Sequence, residues 1–135
     1  MAFVFPQKVL FKHCDPAGIV FYPRYFEMMN DCVEAFFDRA LGTPFEDLHK
    51  TGAVPTAQIE TRFAAPSRHG DQLTLRLSIT RVGRASASYH LTAHCRDALR
   101  FETTATLVHV AQTGVPIGWP DALRQKLLDH EDAAP

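Results

Sequence analysis

The fold is decided by residues 23–40, which read PRYFEMMNDCVEAFFDRA and form the longest helical pattern in this 135-residue chain. Pro23 suits the first helical turn, where its missing N–H costs nothing, and Gly42 suits the position just past the last turn. The apolar residues recur at helix spacing and form a very wide apolar face. They are Tyr25, Met29, Cys32, Val33, Phe36 and Ala40, joined by Phe26, Met28 and Phe37. So wide a face predicts a helix wrapped on several sides by a curved sheet.

Four segments after this helix alternate polar and apolar residues with a period of two. They are residues 58–63, 72–80, 86–95 and 101–110. Alternation with one polar face is typical of an antiparallel sheet that is covered on one side only. In residues 58–63 the inward positions are predicted to be Ile59, Thr61 and Phe63. Short connections at Gly83 and at residues 96–97 predict hairpins between successive strands.

The rest of the chain completes an α+β pattern. Residues 8–13 alternate and predict a first strand before the long helix, and residues 45–50 predict a short helix after it. Pro120 opens a terminal helix through Leu128, and residues 130–135 are expected to fray. The length suits one domain over residues 1–135, with one layer of helix against one curved antiparallel sheet.

Composition excludes several classes of protein. Lys and Arg number 14 against 15 Asp and Glu, and this balance excludes a nucleic-acid binder that works by neutralising phosphates. No run reaches the roughly 20 apolar residues of a membrane span, and no signal-peptide pattern begins the chain. Three widely spaced cysteines favour a reducing cytoplasm over a disulfide framework. His90 and His94 would lie about 13 Å apart on a strand, so no metal site is expected.

The stretch most suited to chemistry is residues 13–25, HCDPAGIVFYPRY, which places a carboxylate in a tight loop just before the helix. The positive end of a helix can stabilise an oxyanion, and a nearby carboxylate can attack a carbonyl or activate water. Pro16 and Gly18 shape the loop, and Gly18 allows close backbone approach. The same pattern is also typical of an Asx turn at Asp15 with no catalytic role. The pattern alone leaves both interpretations open.

Two motifs carry a resemblance to a known family. The pattern DxxGxVxYxxY at residues 15–25, followed by a long helix, resembles the 4-hydroxybenzoyl-CoA thioesterase family of hotdog-fold acyl-CoA thioesterases. The fuller string CDPAGIVFYPRY is especially similar to the aryl-CoA branch. The pattern FxxPxxxGDxL at residues 63–73 resembles the family's lead-in to its long meander strand. Together the resemblance covers approximately residues 5–112, and the element order matches throughout.

The resemblance implies a hotdog fold, in which a curved antiparallel sheet wraps a long central helix. It also implies homodimers with joined sheets and active sites at the subunit interface, often paired into homotetramers. It places catalysis on Asp15, as nucleophile or general base in the hydrolysis of an aromatic or short-chain acyl-CoA. Carbonyl polarisation falls to the backbone N–H of Tyr22, since Pro23 has no N–H to offer. No cofactor is implied, because coenzyme A enters as part of the substrate.

Further residues are candidates for binding the acyl group. Pro16, Phe21 and Tyr25 lie in or beside the motif, and the aromatic rings could wall an acyl pocket or pack in the core. Aryl-specific relatives can present an acidic group to a ring hydroxyl at a position where this chain has Asn30, with Asp31 beside it. This departure leaves the identity of the acyl group open.

The coenzyme A moiety needs polar and basic contacts, and the resemblance places them on the hairpin around Gly83. Arg84 and Ser86 are the candidates there, with Arg81 as a weaker one. An ordinary solvated hairpin is the alternative, because exposed arginine costs little.

Three alternatives remain for the activity. A different hotdog branch uses a helix carboxylate, for which Glu27, Asp31 or Glu34 could serve if they are not simply a solvated stripe. A hotdog enzyme acting on acyl carrier protein thioesters would need a basic docking patch, which the neutral charge balance does not favour. A non-catalytic acyl-CoA-binding module would bind without turnover.

Two residues beside Asp15 also carry reactive side chains. Cys14 lacks a histidine partner at a recognisable spacing, so a cysteine nucleophile is not expected, and His13 is expected either to line the pocket or to end a strand.

Overall fold

The computed structural model describes residues 2–132 of the chain. Its strands are β1 (Phe3–Lys8), β2 (Gly52–Ala53), β3 (Thr56–Phe63), β4 (Gln72–Val82), β5 (Ser86–Cys95), β6 (Ala98–Val108) and β7 (Val110–Ala111). Its helices are α1 (Pro23–Ala35), α2 (Phe45–Leu48) and α3 (Asp121–Asp129). Five strands form one antiparallel sheet in the order β1-β4-β5-β6-β3, and β2 pairs with β7. No helix within residues 2–132 is both long enough and apolar enough to cross a membrane.

One hydrophobic core joins α1 to one face of the five-stranded sheet. Met28, Met29 and Cys32 on the helix are almost fully buried, as are Leu75 and Leu91 on the central strands. Burial of apolar surface contributes about 25 cal/mol per Å², so this contact stabilises the fold. The predicted α+β arrangement, with one helix against an antiparallel sheet, is confirmed.

The long helix ends in a widened turn. Residues 36–40 continue α1 as a π-helical segment, closed by the Leu41 N–H donating to the carbonyl of Phe36 (3.1 Å). This turn buries both Phe36 and Phe37. Gly42 follows with φ of +62°, a left-handed conformation that favours glycine. The predicted start at Pro23 and stop at Gly42 are both confirmed.

The first strand lies earlier than the sequence pattern predicted. β1 covers Phe3–Lys8, and residues 11–13 form a 3₁₀ turn, so the strand predicted over residues 8–13 was wrong. Pro6 is typically a strand breaker, but β1 is an edge strand, where the missing N–H costs little. The alternation over residues 8–13 belongs instead to a turn that leads into the Asp15 loop.

The chain after α3 is held against β4. The Val82 N–H donates to Oε2 of Glu131 (2.9 Å), and the Asp132 N–H donates to the carbonyl of Ile79 (2.7 Å). The fraying expected from residue 130 therefore does not include residues 131 and 132, and residues 133–135 lie outside the described residues.

The opposite edge of the sheet is open. On β3, Ile59 and Phe63 are 43% and 45% exposed although they share the helix-facing side of the sheet with Thr61. The inward direction predicted for these residues holds, because Thr61 bonds to buried Thr103 (Oγ1···Oγ1 2.8 Å) and Phe63 stacks on Tyr25. No element of the described chain covers them further, so β3 presents a partly apolar, unpaired edge.

Candidate active site

The Asp15 loop is a small hairpin that connects the 3₁₀ turn to α1. The Asp15 N–H donates to the carbonyl of Ile19 (2.9 Å), and the Phe21 N–H donates to the carbonyl of His13 (2.9 Å). Gly18 closes the turn with φ of +81°, and its N–H donates to the carbonyl of Asp15 (2.9 Å). The hairpin therefore fixes Asp15 on one arm and the start of α1 on the other.

The Asp15 side chain forms an Asx turn and keeps one oxygen available. Its Oδ1 accepts the N–H of Ala17 (2.9 Å), as expected for a turn-forming aspartate. Within residues 2–132 its Oδ2 accepts no hydrogen bond, and the side chain is half-buried. The turn therefore orients the carboxylate without using both of its oxygens, so the two interpretations of Asp15 are compatible.

One backbone donor at the start of α1 is open. The Arg24 N–H donates to the carbonyl of Phe21 (2.8 Å), the Tyr25 N–H donates to the carbonyl of Tyr22 (3.1 Å), and Pro23 has no N–H. The Tyr22 N–H donates to no acceptor among residues 2–132. It lies at the positive end of a 13-residue helix, where an oxyanion is stabilised.

An apolar cleft of about 560 Å³ opens beside this donor. Its wall is aromatic, because Phe63 lies 5.8 Å from Tyr25 and 6.0 Å from Tyr22 between ring centroids. A cleft of this size and lining can hold a small aromatic or aliphatic acyl group. The lining residues are Ile19, Val20, Tyr22, Tyr25, Phe63, Ala64, Ala65 and Pro66.

The predicted acyl-binding residues lie at different distances from this cleft. Tyr25 is part of its wall. Asp15 does not line the cleft, but its backbone N–H donates to the carbonyl of Ile19, which does. Phe21 is half-exposed with its ring 5.6 Å from that of Tyr22, and Pro16 is exposed on the hairpin tip. The structure thus brings the Asp15 loop, the helix start and the aromatic wall together.

Asn30 and Asp31 lie farther along α1. Eight residues separate Asn30 from Tyr22, which is about 12 Å along a helix axis. Asn30 borders a narrower cavity of about 230 Å³ between α1 and β3, which Phe26 and Ile59 also line. Asp31 lies on the solvent side with Lys12 and Glu27. Asn30 can therefore meet a group that extends along the β3 edge, whereas Asp31 does not line that cavity.

The arginine hairpin lies at the far end of the sheet. Phe63 pairs with Phe101, which pairs with Ala93, whereas Ser86 begins β5 at the other end. Seven residues of strand separate Ala93 from Ser86, about 23 Å. Within one chain the structure therefore does not bring Arg81, Arg84 and Ser86 to Asp15.

The C-terminal segment ties this hairpin in place and adds a third arginine that the sequence reasoning missed. Trp119 donates from its backbone N–H to the carbonyl of Arg84 (2.9 Å) and from Nε1 to the carbonyl of Ser86 (3.0 Å). Arg124 donates from Nε to the carbonyl of Gly83 (3.3 Å). No motif marks Arg124, because its approach to the hairpin depends on how α3 folds back.

The cleft wall rests on an ion pair that the sequence reasoning also missed. Arg100 donates from one guanidinium nitrogen to Oδ2 of Asp71 (2.8 Å) and to the carbonyl of Pro66 (2.9 Å). The Arg68 N–H donates to the same Asp71 oxygen (2.9 Å), and this bond, with Arg100, lowers the pKa of Asp71. Ser67 in this loop accepts the Val20 N–H, so the ion pair braces the Asp15 hairpin.

The helix carboxylates and Cys14, which were the other candidates for catalysis, have only surface or backbone contacts. Glu27 pairs with Arg24 (2.8 Å) on the exposed side of α1, where Glu34 is also exposed. Cys14 contacts the carbonyl of Leu10 through Sγ (3.7 Å) and has no imidazole partner among residues 2–132. No cluster of three or more metal-binding side chains occurs within that range.

Comparison with known proteins gives a family and a fold. The sequence matches the thioesterase-like superfamily over residues 9–127, and no curated protein matches it significantly. A 1,4-dihydroxy-2-naphthoyl-CoA thioesterase from Synechocystis superposes with a TM-score of 0.88 at 18% identity, covering 96% of this chain and 97% of that one. A gentisyl-coenzyme A thioesterase gives 0.85 at 25% identity, covering 92% and 98%. A Staphylococcus aureus protein solved in complex with CoA gives 0.89 at 15% identity, covering 100% and 89%.

Proposed function

The chain belongs to the thioesterase-like superfamily and is a thioester hydrolase. From that premise we propose that it cleaves either an aromatic acyl-CoA of the 4-hydroxybenzoyl-CoA type or a short-chain acyl-CoA. The observation that carries this proposal is the open Tyr22 N–H at the start of α1, beside an apolar cleft and the Asp15 loop. An acyl-CoA also fits the names of similar structures, which include a naphthoyl-CoA and a gentisyl-CoA thioesterase.

The reaction needs an electrophile, an oxyanion site and a carboxylate. The thioester carbonyl would accept the Tyr22 N–H, and the helix end would stabilise the negative charge that forms on its oxygen. Asp15 would either attack the carbonyl carbon, giving an anhydride that water then hydrolyses, or take a proton from the attacking water. On either route the C–S bond breaks, and the CoA sulfur leaves as a thiolate that takes up a proton. These steps use Asp15, a backbone N–H and water.

We further propose that each site uses two copies of the chain. The unpaired β3 edge, with half-exposed Ile59 and Phe63, is suited to pairing with a second β3. A two-fold antiparallel pairing sets the Thr56 end of one copy beside the Phe63 end of the other. The arginine hairpin of the second copy would then lie on the side of the cleft, where Arg84, Ser86, Arg81 and Arg124 could bind the CoA phosphates.

A substrate panel tests the proposal. Benzoyl-CoA, 4-hydroxybenzoyl-CoA, butyryl-CoA and palmitoyl-CoA would be supplied to the purified protein while the released thiol is titrated. We expect turnover of the aromatic or short-chain thioesters and less of palmitoyl-CoA, because the aromatic wall of Tyr22, Tyr25 and Phe63 favours a compact acyl group. Binding of all four without thiol release would instead identify a non-catalytic module, and turnover of acyl carrier protein thioesters alone would identify the carrier-protein alternative.

Isotope labelling separates the two roles of Asp15. A single turnover in ¹⁸O-labelled water, followed by mass spectrometry of the peptide that contains Asp15, detects an anhydride that is hydrolysed at its aspartyl carbonyl, and trapping of the acyl-enzyme detects one that is hydrolysed at its other carbonyl. If Asp15 attacks and water then hydrolyses the anhydride at the carbonyl that comes from the substrate, the Asp15 carboxylate stays unlabelled. Hydrolysis at the aspartyl carbonyl labels it instead. A trapped acyl-enzyme at Asp15 would establish attack, and complete absence of trapping with an unlabelled carboxylate would favour the general base.

A further inference from the structure

His13 lies at the base of the Asp15 hairpin and is almost fully buried, with 4% of its surface exposed. The ring Nδ1 of His13 accepts the backbone N–H of Leu10 (2.8 Å), and the backbone N–H of His13 donates to the carbonyl of Leu10 (3.0 Å). Because Nδ1 accepts a hydrogen bond, the ring is neutral and carries its proton on Nε2. His13 thereby closes the 3₁₀ turn of residues 11–13 through both its ring and its backbone.

The backbone of His13 connects this turn to both proposed catalytic groups. Its carbonyl accepts the Phe21 N–H (2.9 Å), so it is paired with the residue directly before Tyr22. Two residues after His13 the chain reaches Asp15. Before the turn, the Val9 N–H donates to the carbonyl of Asp71 and the Val9 carbonyl accepts the Gly70 N–H, both at 2.8 Å. These bonds anchor the turn beside the start of β4. The ring of His13 therefore holds the turn that joins Val9, which is anchored to the sheet side, to the hairpin that carries Asp15 and Tyr22.

We propose that neutral His13 is a positioning residue, which sets Asp15 relative to the Tyr22 N–H and releases that arrangement when its ring is protonated. This inference rests on the proposed function, since it assumes that Asp15 and the Tyr22 N–H act together. Protonation places a hydrogen on Nδ1, so the ring can no longer accept from Leu10. The Leu10 N–H would then be left without its partner, and the turn that leads to Asp15 would loosen.

The surroundings of the ring favour the neutral form. Burial lowers the pKa of His13, since a charged ring is poorly solvated there, and nearby Lys12 and Arg24 lower the pKa further. Glu27 and Asp31 on α1 act in the opposite direction and raise the pKa. The net effect is a lowered pKa, which keeps His13 neutral at pH 7 and confines its protonation to acidic solution.

Two substitutions separate positioning from bulk stability. In His13→Asn the amide Oδ1 stands where Nδ1 was and can accept from Leu10, but it does not titrate. In His13→Ala the acceptor is lost. We expect kcat to fall about tenfold in His13→Ala, since small misplacements of catalytic groups cost up to about 10²-fold, and to stay within about threefold of wild type in His13→Asn. His49→Asn, at an exposed histidine on α2's C-terminal end, is the matched control.

The pH profile of kcat gives the decisive comparison. We expect the wild type to lose kcat toward acidic pH along a steeper limb than His13→Asn, because residue 13 of that variant does not titrate. Identical acid limbs for these two proteins would overturn the proposal, as would a ring shown by ¹⁵N NMR to carry its proton on Nδ1 at pH 7.5. Both of these outcomes leave Asp15 untouched, whereas full activity of Asp15→Asn would overturn the proposed function instead.

Discussion

The two ends of the sheet are built for different parts of one ligand. At the Phe63 end the structure has an apolar aromatic cleft, an open N–H and a carboxylate with one free oxygen. At the Ser86 end it has a hairpin with exposed Arg81 and Arg84, braced by Trp119. An acyl-CoA has an apolar acyl group at one end and anionic phosphates at the other, and each end of the sheet suits one of these.

The separation of the two ends explains why a single chain is insufficient in this account. About 23 Å of strand lies between them, and the open β3 edge offers a way to bring the arginine hairpin of a second copy to the cleft of the first. Chemistry and nucleotide recognition are therefore expected to respond to different mutations.

Asp15→Asn should abolish most turnover while leaving substrate binding intact. We expect kcat to fall by about 10²- to 10⁴-fold with KM little changed, since a carboxylate acting as base or nucleophile contributes on this scale. Asp38→Asn removes an exposed carboxylate at the other end of the long helix and serves as the control. Steady-state thiol release measures both proteins, and equal kcat values for the two would exclude Asp15 from catalysis.

Arg84→Ala should weaken recognition of the nucleotide without altering chemistry. We expect KM to rise about tenfold at unchanged kcat, because a charge-assisted hydrogen bond to phosphate contributes roughly 1.5–3 kcal/mol. Arg76→Ala, on the outer face of β4, is the matched loss of an exposed arginine. A truncated substrate that lacks the nucleotide, such as the benzoyl thioester of pantetheine, should not distinguish Arg84→Ala from wild type. If it does, the hairpin acts on something other than the phosphates.

Phe63→Ala should change the choice of acyl group. Phe63 stacks on Tyr25 and contacts Tyr22 at the edge of the cleft, so its loss removes an aromatic wall. We expect the preference for benzoyl-CoA over butyryl-CoA, as a ratio of kcat/KM, to fall about fivefold, since aromatic pairs contribute about 0.5–1.5 kcal/mol. An unchanged ratio would show that the acyl group binds elsewhere, with the cavity beside Asn30 as the next place to test.

Asp71→Asn should cost stability in a pH-dependent way. Its ion pair with Arg100 is partly exposed, so we expect a loss of about 1 kcal/mol at pH 7. Because the folded state lowers the pKa of Asp71, its contribution is complete above the ordinary carboxyl range and is lost as the pH falls through the lowered pKa. Thermal melts of Asp71→Asn and wild type should therefore converge as the pH falls below the ordinary carboxyl range, while Asp97→Asn, at an exposed turn carboxylate, should match wild type throughout.

Much of the fold could be predicted because its signals are local. The helical period from Pro23 to Gly42 and the alternation in β4 and β5 each follow from neighbouring residues. β1 was misplaced because the alternation over residues 8–13 belongs to a turn, and only the place of β1 at the sheet edge makes Pro6 acceptable within a strand. Local pattern cannot show which strand will lie at an edge.

The residues of the candidate site likewise fall into those that a local motif predicts and those that depend on long-range contacts. Asp15 and the start of α1 lie within one short motif, so the sequence alone could place them together. Arg100 and Arg124 could not be found, because each acts through a contact between residues 29 or more positions apart in the chain. His13 was expected either to line the pocket or to end a strand, and it does neither, because it closes a 3₁₀ turn through the ring nitrogen that meets Leu10.

The most direct test of the two-copy site is complementation between Asp15→Asn and Arg84→Ala. At a low benzoyl-CoA concentration Asp15→Asn is nearly inactive because its kcat is low, and Arg84→Ala keeps about a tenth of wild-type activity because its KM is about tenfold higher. If one site uses Asp15 of one copy and Arg84 of another, mixed dimers contain one intact site. An equimolar mixture after subunit exchange should then recover about a quarter of wild-type kcat/KM, since about half the dimers are mixed. Activity equal to the mean of the two variants would contradict the account, because both residues would then serve the same chain.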